Sequence, residues 1–416
     1  MSHSTDHNAN CCLLACVSGK ASHNRRVPNT FGEDCLASIQ VGLTWVLLFS
    51  ALGCQQASRS SVSRLTPLSG HQSNGQREAF KLPDASNALS AEVPKLVQDE
   101  PVVNDEPRPA PLALPTSAAG VQISTNSWVS VASWCVTNGL PGCALVLFQG
   151  RHLVQTARTA LDLTPGFPLA KWRGANCWLA FPLRWDAAGS LLANAMDIEK
   201  TLKPLLSMAP LPTPSLSKGV IVVDPGHGGR NVGTQSVVDG KFEKELTLDL
   251  AFRLSGLLET RGWTVAMTRT NDTEFGVAER VAMADLRGAA IFLSLHFNSE
   301  PTRLQSGIET YCLTPVGMNS HLIRDSSDRP DLAFPNNSFD DDNLRLSMRI
   351  HHALVNASGQ ADRGLRRARY PGVLRLQNRP AVLVEAGYLS NRQESLLISQ
   401  ASYRQRLAEA LASALD

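Results

Sequence analysis

Hydrophobic and polar positions divide the chain into stretches of different character. Residues 1–35 are polar and show no period, and an uncharged apolar run, LASIQVGLTWVLLFSALGC, occupies 36–54. From 55 to 120 the chain is rich in Ser, Pro, Ala, Asn and Gln, with prolines at 101, 107, 109, 111 and 115. That composition predicts a flexible tether, stiffened toward its C-terminal side. Short apolar runs return at 144–148 (ALVLF) and 177–181 (CWLAF), and an amphipathic MDIEKTLKPLL lies at 196–206. They predict a small β-containing domain over 121–208, followed by a proline-rich hinge at Ala209–Pro214.

Beyond the hinge the pattern becomes regular. A β-branched run, GVIVV at 219–223, reads as a strand buried on both faces. Leu246, Leu250, Leu254, Leu257 and Leu258 recur three and four apart, which specifies a helix packed on a sheet. WTVAMT at 263–268 and AIFLSL at 290–295 read as further strands, separated by a shorter helix from Val277 to Leu286. In that helix Val277, Val281 and Ala284 are expected to face inward, with Arg280 open to a partner. A last strand, PAVLV at 380–384, precedes a helix carrying Leu396, Leu397, Tyr403, Leu407 and Leu411, with Ser390 and Gln393 as its capping box. Strands alternating with helices predict an α/β domain over 217–416, a twisted and mostly parallel sheet with helices on both faces.

The balance of 39 Lys and Arg against 37 Asp and Glu, a formal charge of +2 over 416 residues, gives no reason to expect a nucleic-acid partner. Nine cysteines lack the spacing of a zinc knuckle or a disulfide framework. The apolar run at 36–54 is the one membrane candidate. It ends in Ala51, Leu52, Gly53 and Cys54 and so resembles the lipobox of a bacterial lipoprotein signal, which would attach a lipid at Cys54 and hold the rest in the cell envelope. An uncleaved anchor or an ordinary signal peptide, or no targeting role at all, are the alternatives.

The chemistry gathers at strand ends. The first strand breaks into DPGHGG at 224–229, which presents His227 between glycines; alone, it could equally be a turn residue. Glu243 stands at the start of the first helix, where a carboxylate is commonly only a favourable charge. The strand at 290–295 ends in His296. In a parallel sheet these ends share one edge, so His227, Glu243 and His296 can meet and offer two imidazole nitrogens and a carboxylate oxygen, a hydrolytic zinc ligand set. The last strand ends in Glu385, positioned there to accept a proton from water or else to pair with Arg363, Arg366, Arg367 or Arg369.

Taken in order, VVDPGHGG, FEKELTLDLA, MTR, SLHFNS, SGIETY, DRGLRRARYPGVLR and AVLVEAGYLSN resemble the zinc-dependent N-acetylmuramoyl-L-alanine amidases, bacterial cell-wall hydrolases, from Lys218 to Asp416. The resemblance implies one Zn²⁺ on His227, Glu243 and His296, with Glu385 catalytic. It also implies peptidoglycan as substrate, cleaved between N-acetylmuramic acid and the L-alanine of the stem peptide. A zinc carboxypeptidase and a non-catalytic wall-binding module are the rival readings.

Lesser features remain. Some relatives insert a blocking helix where this chain has 314–342; no long amphipathic pattern occurs there, so no activator is indicated. Asp340, Asp341 and Asp342 are expected to start a helix. His351 and His352 read as ordinary helix residues, and His321 as a poor ligand. The arginines from Arg363 to Arg369 either bind stem-peptide carboxylates or form a solvated face. The tryptophans of 121–208 could stack on sugar or fill its core.

Overall fold

The computed structural model describes residues 127–208, 218–323 and 328–416. The apolar run ending at Cys54, the tether at 55–120 and the hinge at 209–214 lie outside them. No helix of the described residues is long and apolar enough to cross a membrane.

The N-terminal part contains β1 (Trp128–Ser130), α1 (Val131–Thr137), β2 (Ala144–Phe148), β3 (Arg151–Gln155), β4 (Ala160–Leu163), β5 (Leu169–Trp172), β6 (Ala175–Trp178), β7 (Arg184–Trp185) and β8 (Leu191–Asn194). Helical turns α2 (Ala195–Asp197) and α3 (Lys203–Leu206) flank a π-helical turn and end it. The C-terminal part runs β9 (Val220–Pro225), α4 (Glu243–Thr260), β10 (Thr264–Met267), α5 (Val277–Leu286), β11 (Ile291–Asn298) and β12 (Ile308–Cys312). It continues with α6 (Asp340–Ser358), β13 (Asp362–Arg367), α7 (Gly372–Arg375), β14 (Ala381–Tyr388), α8 (Arg392–Ile398) and α9 (Ala401–Ala414).

One eleven-stranded sheet joins both parts, in the order β10-β9-β11-β14-β12-β13-β6-β5-β4-β3-β2. Strands β10, β9, β11 and β14 are parallel, as their continuous apolar runs require, and all eight residues of β14 are buried. The parallel pattern stops at β12, which runs antiparallel to β14, while β13 runs parallel to β12. Residues 299–307 are too few for a crossover helix, which takes about a dozen residues or more, so the chain returns reversed. From β6 to β2 the sheet is an antiparallel meander. It meets the C-terminal part through β6 and β13, where Trp178 Nε1 donates to Arg363 O at 2.8 Å.

Apolar side chains cover both faces of the central strands. Ile221, Val223, Leu293, Leu295, Val382 and Val384 pack with Leu246, Leu250, Leu254 and Leu258 of α4 and with α6 and α9. Val222, Phe292 and Leu383 pack on the other face against Ala284 of α5 and Leu374 of α7. The core of the N-terminal part takes in Cys312, Leu344, Met348 and Leu365, so apolar packing is continuous across the junction. Trp134 and Trp172 belong to that core, whereas Trp185 is half exposed.

Local expectations fared unevenly. Asp340, Asp341 and Asp342 do open α6. The last helix is two, α8 and α9. The cap of α8 is Asn391, whose Oδ1 accepts from Gln393 N and Glu394 N, while Ser390 Oγ accepts from Glu300 N instead. In α5, Val281 and Ala284 face inward as expected, but Val277 is 41% exposed and Arg280 only 5%. The guanidinium is buried because it answers a buried carboxylate, Asp224.

Candidate metal centre

Strand β9 delivers a loop held by ionic groups beneath it. Asp224, 1% exposed, accepts from Thr268 Oγ1 at 2.6 Å and Ser294 Oγ at 2.8 Å and pairs with Arg280. Arg280 also donates to Pro225 O at 3.0 Å and His227 O at 2.8 Å, and Arg269 donates to Pro225 O at 3.0 Å and Gly226 O at 2.8 Å. Burial, and then the neighbouring Arg280 charge, bring the Arg269 pKa down to about 10. These guanidiniums fasten the carbonyls of a loop in which His227 adopts φ +62°, a conformation unusual for a residue with a side chain.

His227 Nδ1–H donates to Asn231 Oδ1 at 2.8 Å, and its Nε2 faces Glu243 Oε2 at 3.0 Å. The other carboxylate oxygen, Oε1, lies 2.9 Å from His296 Nδ1. Glu243, the first residue of α4, is 4% exposed and also accepts from Thr234 N at 3.0 Å and Phe297 N at 3.1 Å. Burial opposes its ionisation, but the hydrogen bonds and charges of the two imidazoles in their protonated form outweigh that and hold its pKa well below the ordinary carboxylate value.

The ligand atoms of His227, Glu243 and His296 all lie within 4.8 Å of one another. The imidazoles meet edge to face, 4.9 Å apart. Close backbone approach makes this possible: a Cβ on Gly226 would lie 2.2 Å from His296 Cε1, and one on Gly233 would lie 2.6 Å from Glu243 Oε2. The cluster fits a small cation. With Nδ1–H committed to Asn231, the second nitrogen of a neutral His227 turns a lone pair toward a carboxylate, a repulsion that a metal ion between them removes.

Glu385 stands beside this cluster. It is the register partner of His296 on the adjacent parallel strand and of Glu309 on the antiparallel one, so one row across the sheet carries an imidazole and two carboxylates. Glu385, 7% exposed, lines a cavity of about 560 Å³ with His227, Glu243 and His296. Val277 and Val373 are among its walls, which accounts for the exposure of Val277.

The row contains a residue that the sequence reading passed over. Glu309, 4% exposed, accepts from Arg363 Nε at 2.8 Å, Tyr311 Oη at 2.8 Å and Asn298 Nδ2 at 3.0 Å, with Arg366 at 3.5 Å. An acid inside the apolar run IETYC was its one signal. Arg367 bonds Thr201 Oγ1 and Lys200 O, and Arg369 pairs with Asp328 at 2.8 Å, so these two fasten neighbouring segments. Of the other histidines, His351 bonds Asp362 and Thr310 inside the fold, and His321 is held between Leu179 O and Arg367 N.

Comparison with known proteins bears on this geometry. Residues 221–416 match the sequence model of the family described as N-acetylmuramoyl-L-alanine amidase. The chain is 30% identical over 191 residues to N-acetylmuramoyl-L-alanine amidase LytC of Bacillus subtilis, covering 46% of this chain and 34% of that protein. It is 28% identical over 265 residues to N-acetylmuramoyl-L-alanine amidase AmiC of Neisseria meningitidis, covering 57% of this chain and 63% of that one. The chain thus spans about a third of LytC and under two thirds of AmiC. A solved N-acetylmuramoyl-L-alanine amidase from Clostridium difficile 630 is 27% identical, with 48% of this chain and 95% of that one covered and a TM-score of 0.40.

Proposed function

Residues 221–416 form a domain of the N-acetylmuramoyl-L-alanine amidase family, and from that premise we propose that the protein is a peptidoglycan hydrolase. Its reaction breaks the C–N bond between the lactyl carbonyl of N-acetylmuramic acid and the L-alanine nitrogen of the stem peptide. The observation that carries this reading is the convergence of His227, Glu243 and His296 beside Glu385 in one open cavity.

The three clustered side chains would hold zinc. When bound, zinc supplies Lewis acidity, bringing the pKa of a water to roughly 7 and polarising a carbonyl. The protein's own groups do the rest. Asn231 orients the His227 ring, and the Thr234 and Phe297 amides hold Glu243 in its ionised form. Glu385 removes a proton from the attacking water as the C–O bond forms and returns it to the alanine nitrogen as the C–N bond breaks. The products are a lactyl carboxylate on an intact glycan and a stem peptide with a free amine. Val277 and Val373 form an apolar side of the cavity.

This substrate requires the cell envelope, and the run ending at Cys54 remains the proposed means of attachment there. The test digests purified peptidoglycan with the full chain, with and without a chelator, and identifies products by mass. Chelator-sensitive release of stem peptides beginning with a free L-alanine amine is expected. Shortened stem peptides would instead indicate a carboxypeptidase, and binding without release a non-catalytic wall module; either overturns the proposal.

A further inference from the structure

A second cavity, about 410 Å³, lies between α6, the C-terminal end of α9 and the turn joining β5 to β6, and shares no lining residue with the catalytic cavity. We propose that it is a separate binding site for an oxyanion, a carboxylate or phosphate, carried on a small apolar body.

The charge of the lining is one-sided. Arg173, Arg349 and His352 line it, and among the described residues no Asp or Glu does. No hydrogen bond or ion pair within the described residues engages either guanidinium. The backbone of Arg173 adopts φ +52°, and its guanidinium lies 4.8 Å from the centre of the Trp172 ring. Burial first, and then the charges of Arg173 and Arg345, depress the Arg349 pKa, the mark of cations gathered without a counter-charge. Arg345 itself is paired with Asp341 and Asp342, which leaves the other two as the unanswered positive charge.

The indole beside these cations also carries an unmet donor. Trp172 is 2% exposed, yet its indole Nε1–H has no acceptor. Buried donors are nearly always satisfied in folded proteins. His352 stands edge to face with the same indole at 5.5 Å, and Asn356 bonds His352 Nε2 at 3.0 Å, so the polar end is built around that ring. Alanines of α6 and α9 form the opposite wall, which suits an apolar body better than a bare ion. Planar guanidiniums suit carboxylate and phosphate oxygens equally.

Calorimetric titration of the full chain tests this, with inorganic phosphate in one arm and N-acetyl-D-alanine in the other, at matched ionic strength. Saturable binding of at least one probe is expected, weakened about tenfold or more in Arg173→Gln and in Arg349→Gln and weakened by added salt. His227→Ala is expected to bind as the wild type does, which separates this site from the catalytic reading. Preference between the probes identifies the source of the anion. Arg173 is exposed, so Arg173→Gln tests the site without disturbing the core. No saturable heat with either probe, or binding indifferent to both arginine substitutions, overturns the proposal.

Discussion

Gly226→Ala tests how tightly the backbone packs against the cluster of His227, Glu243 and His296. A methyl at this position would lie 2.2 Å from His296 Cε1, 2.5 Å from Nε2 and 2.6 Å from Nδ1. Favourable contacts between heavy atoms begin at about 3.5 Å, so the ring or the loop must move by on the order of 1 Å. The ring is tied to Glu243 Oε1 through Nδ1 at 2.9 Å, so swinging it clear of the methyl breaks the cluster. Metal–ligand distances tolerate only about 0.2 Å of error, and a misplacement of about 1 Å can cost about 10²-fold in rate. Gly226→Ala is therefore expected to lose zinc affinity and peptide release by about a hundredfold or more while its circular dichroism remains that of a folded protein. Zinc content after dialysis against graded chelator reads the first effect, and mass analysis of released peptides the second. Gly256→Ala is the control: nothing lies within 4 Å of a methyl there, and α4 should gain about 0.4–1 kcal/mol. A Gly226→Ala enzyme that retains wild-type zinc and full activity would refute the packing argument.

Three further expectations follow from other parts of the molecule. Glu385→Gln should keep its zinc and lose about 10²–10⁴ in rate, whereas His227→Ala should lose both; equal zinc in the two purified variants would contradict the assigned roles. Arg280→Ala leaves Asp224 buried without its charge partner and should cost about 3–5 kcal/mol in urea unfolding; a loss below about 1 kcal/mol would show that the pair is not what holds the loop. His321 concerns pH. Burial, with Arg367 nearby, holds its pKa down at about 3, against an ordinary 6.5. The folded ring stays neutral where the unfolded chain takes up a proton, so its contribution is intact above 6.5 and is lost as the pH falls toward 3. The limiting slope is about 1.4 kcal/mol per pH unit. Wild-type and His321→Gln unfolding profiles that stay parallel over that range would dispose of this argument.

The sequence was legible where one local rule decided the outcome. Continuous apolar runs marked β9, β11 and β14, and leucines three and four apart marked α4. The three clustered donors, with Glu385 beside them, were legible because a parallel sheet presents its strand ends on one edge. What escaped depended on partners distant in sequence. Arg280 looked available on a helix surface because nothing local reveals that Asp224, on another strand, draws it inward. Val277 looked like a core residue because an apolar position gives no sign that the neighbouring space is a cavity. The reversal at β12 followed from a connection length, a signal present in the chain but weaker than strand periodicity. Glu309 was passed over for a related reason, since an acid in an apolar strand makes sense only once Arg363 is found beside it.

The buried charges and the strained histidine belong to one arrangement. A residue with a side chain held at positive φ costs about 1–3 kcal/mol, and such a conformation survives only where its surroundings over-determine it. Here Arg280 and Arg269 bind the carbonyls of Pro225 and Gly226, and Arg280 binds that of His227 itself. Asp224 in turn keeps Arg280 in position from below. The buried pair thus prevents relaxation of His227 to an ordinary backbone conformation that would carry its imidazole away from Glu243. Arg280→Ala should accordingly weaken zinc binding as well as the fold, although the guanidinium touches none of the side chains of His227, Glu243 and His296.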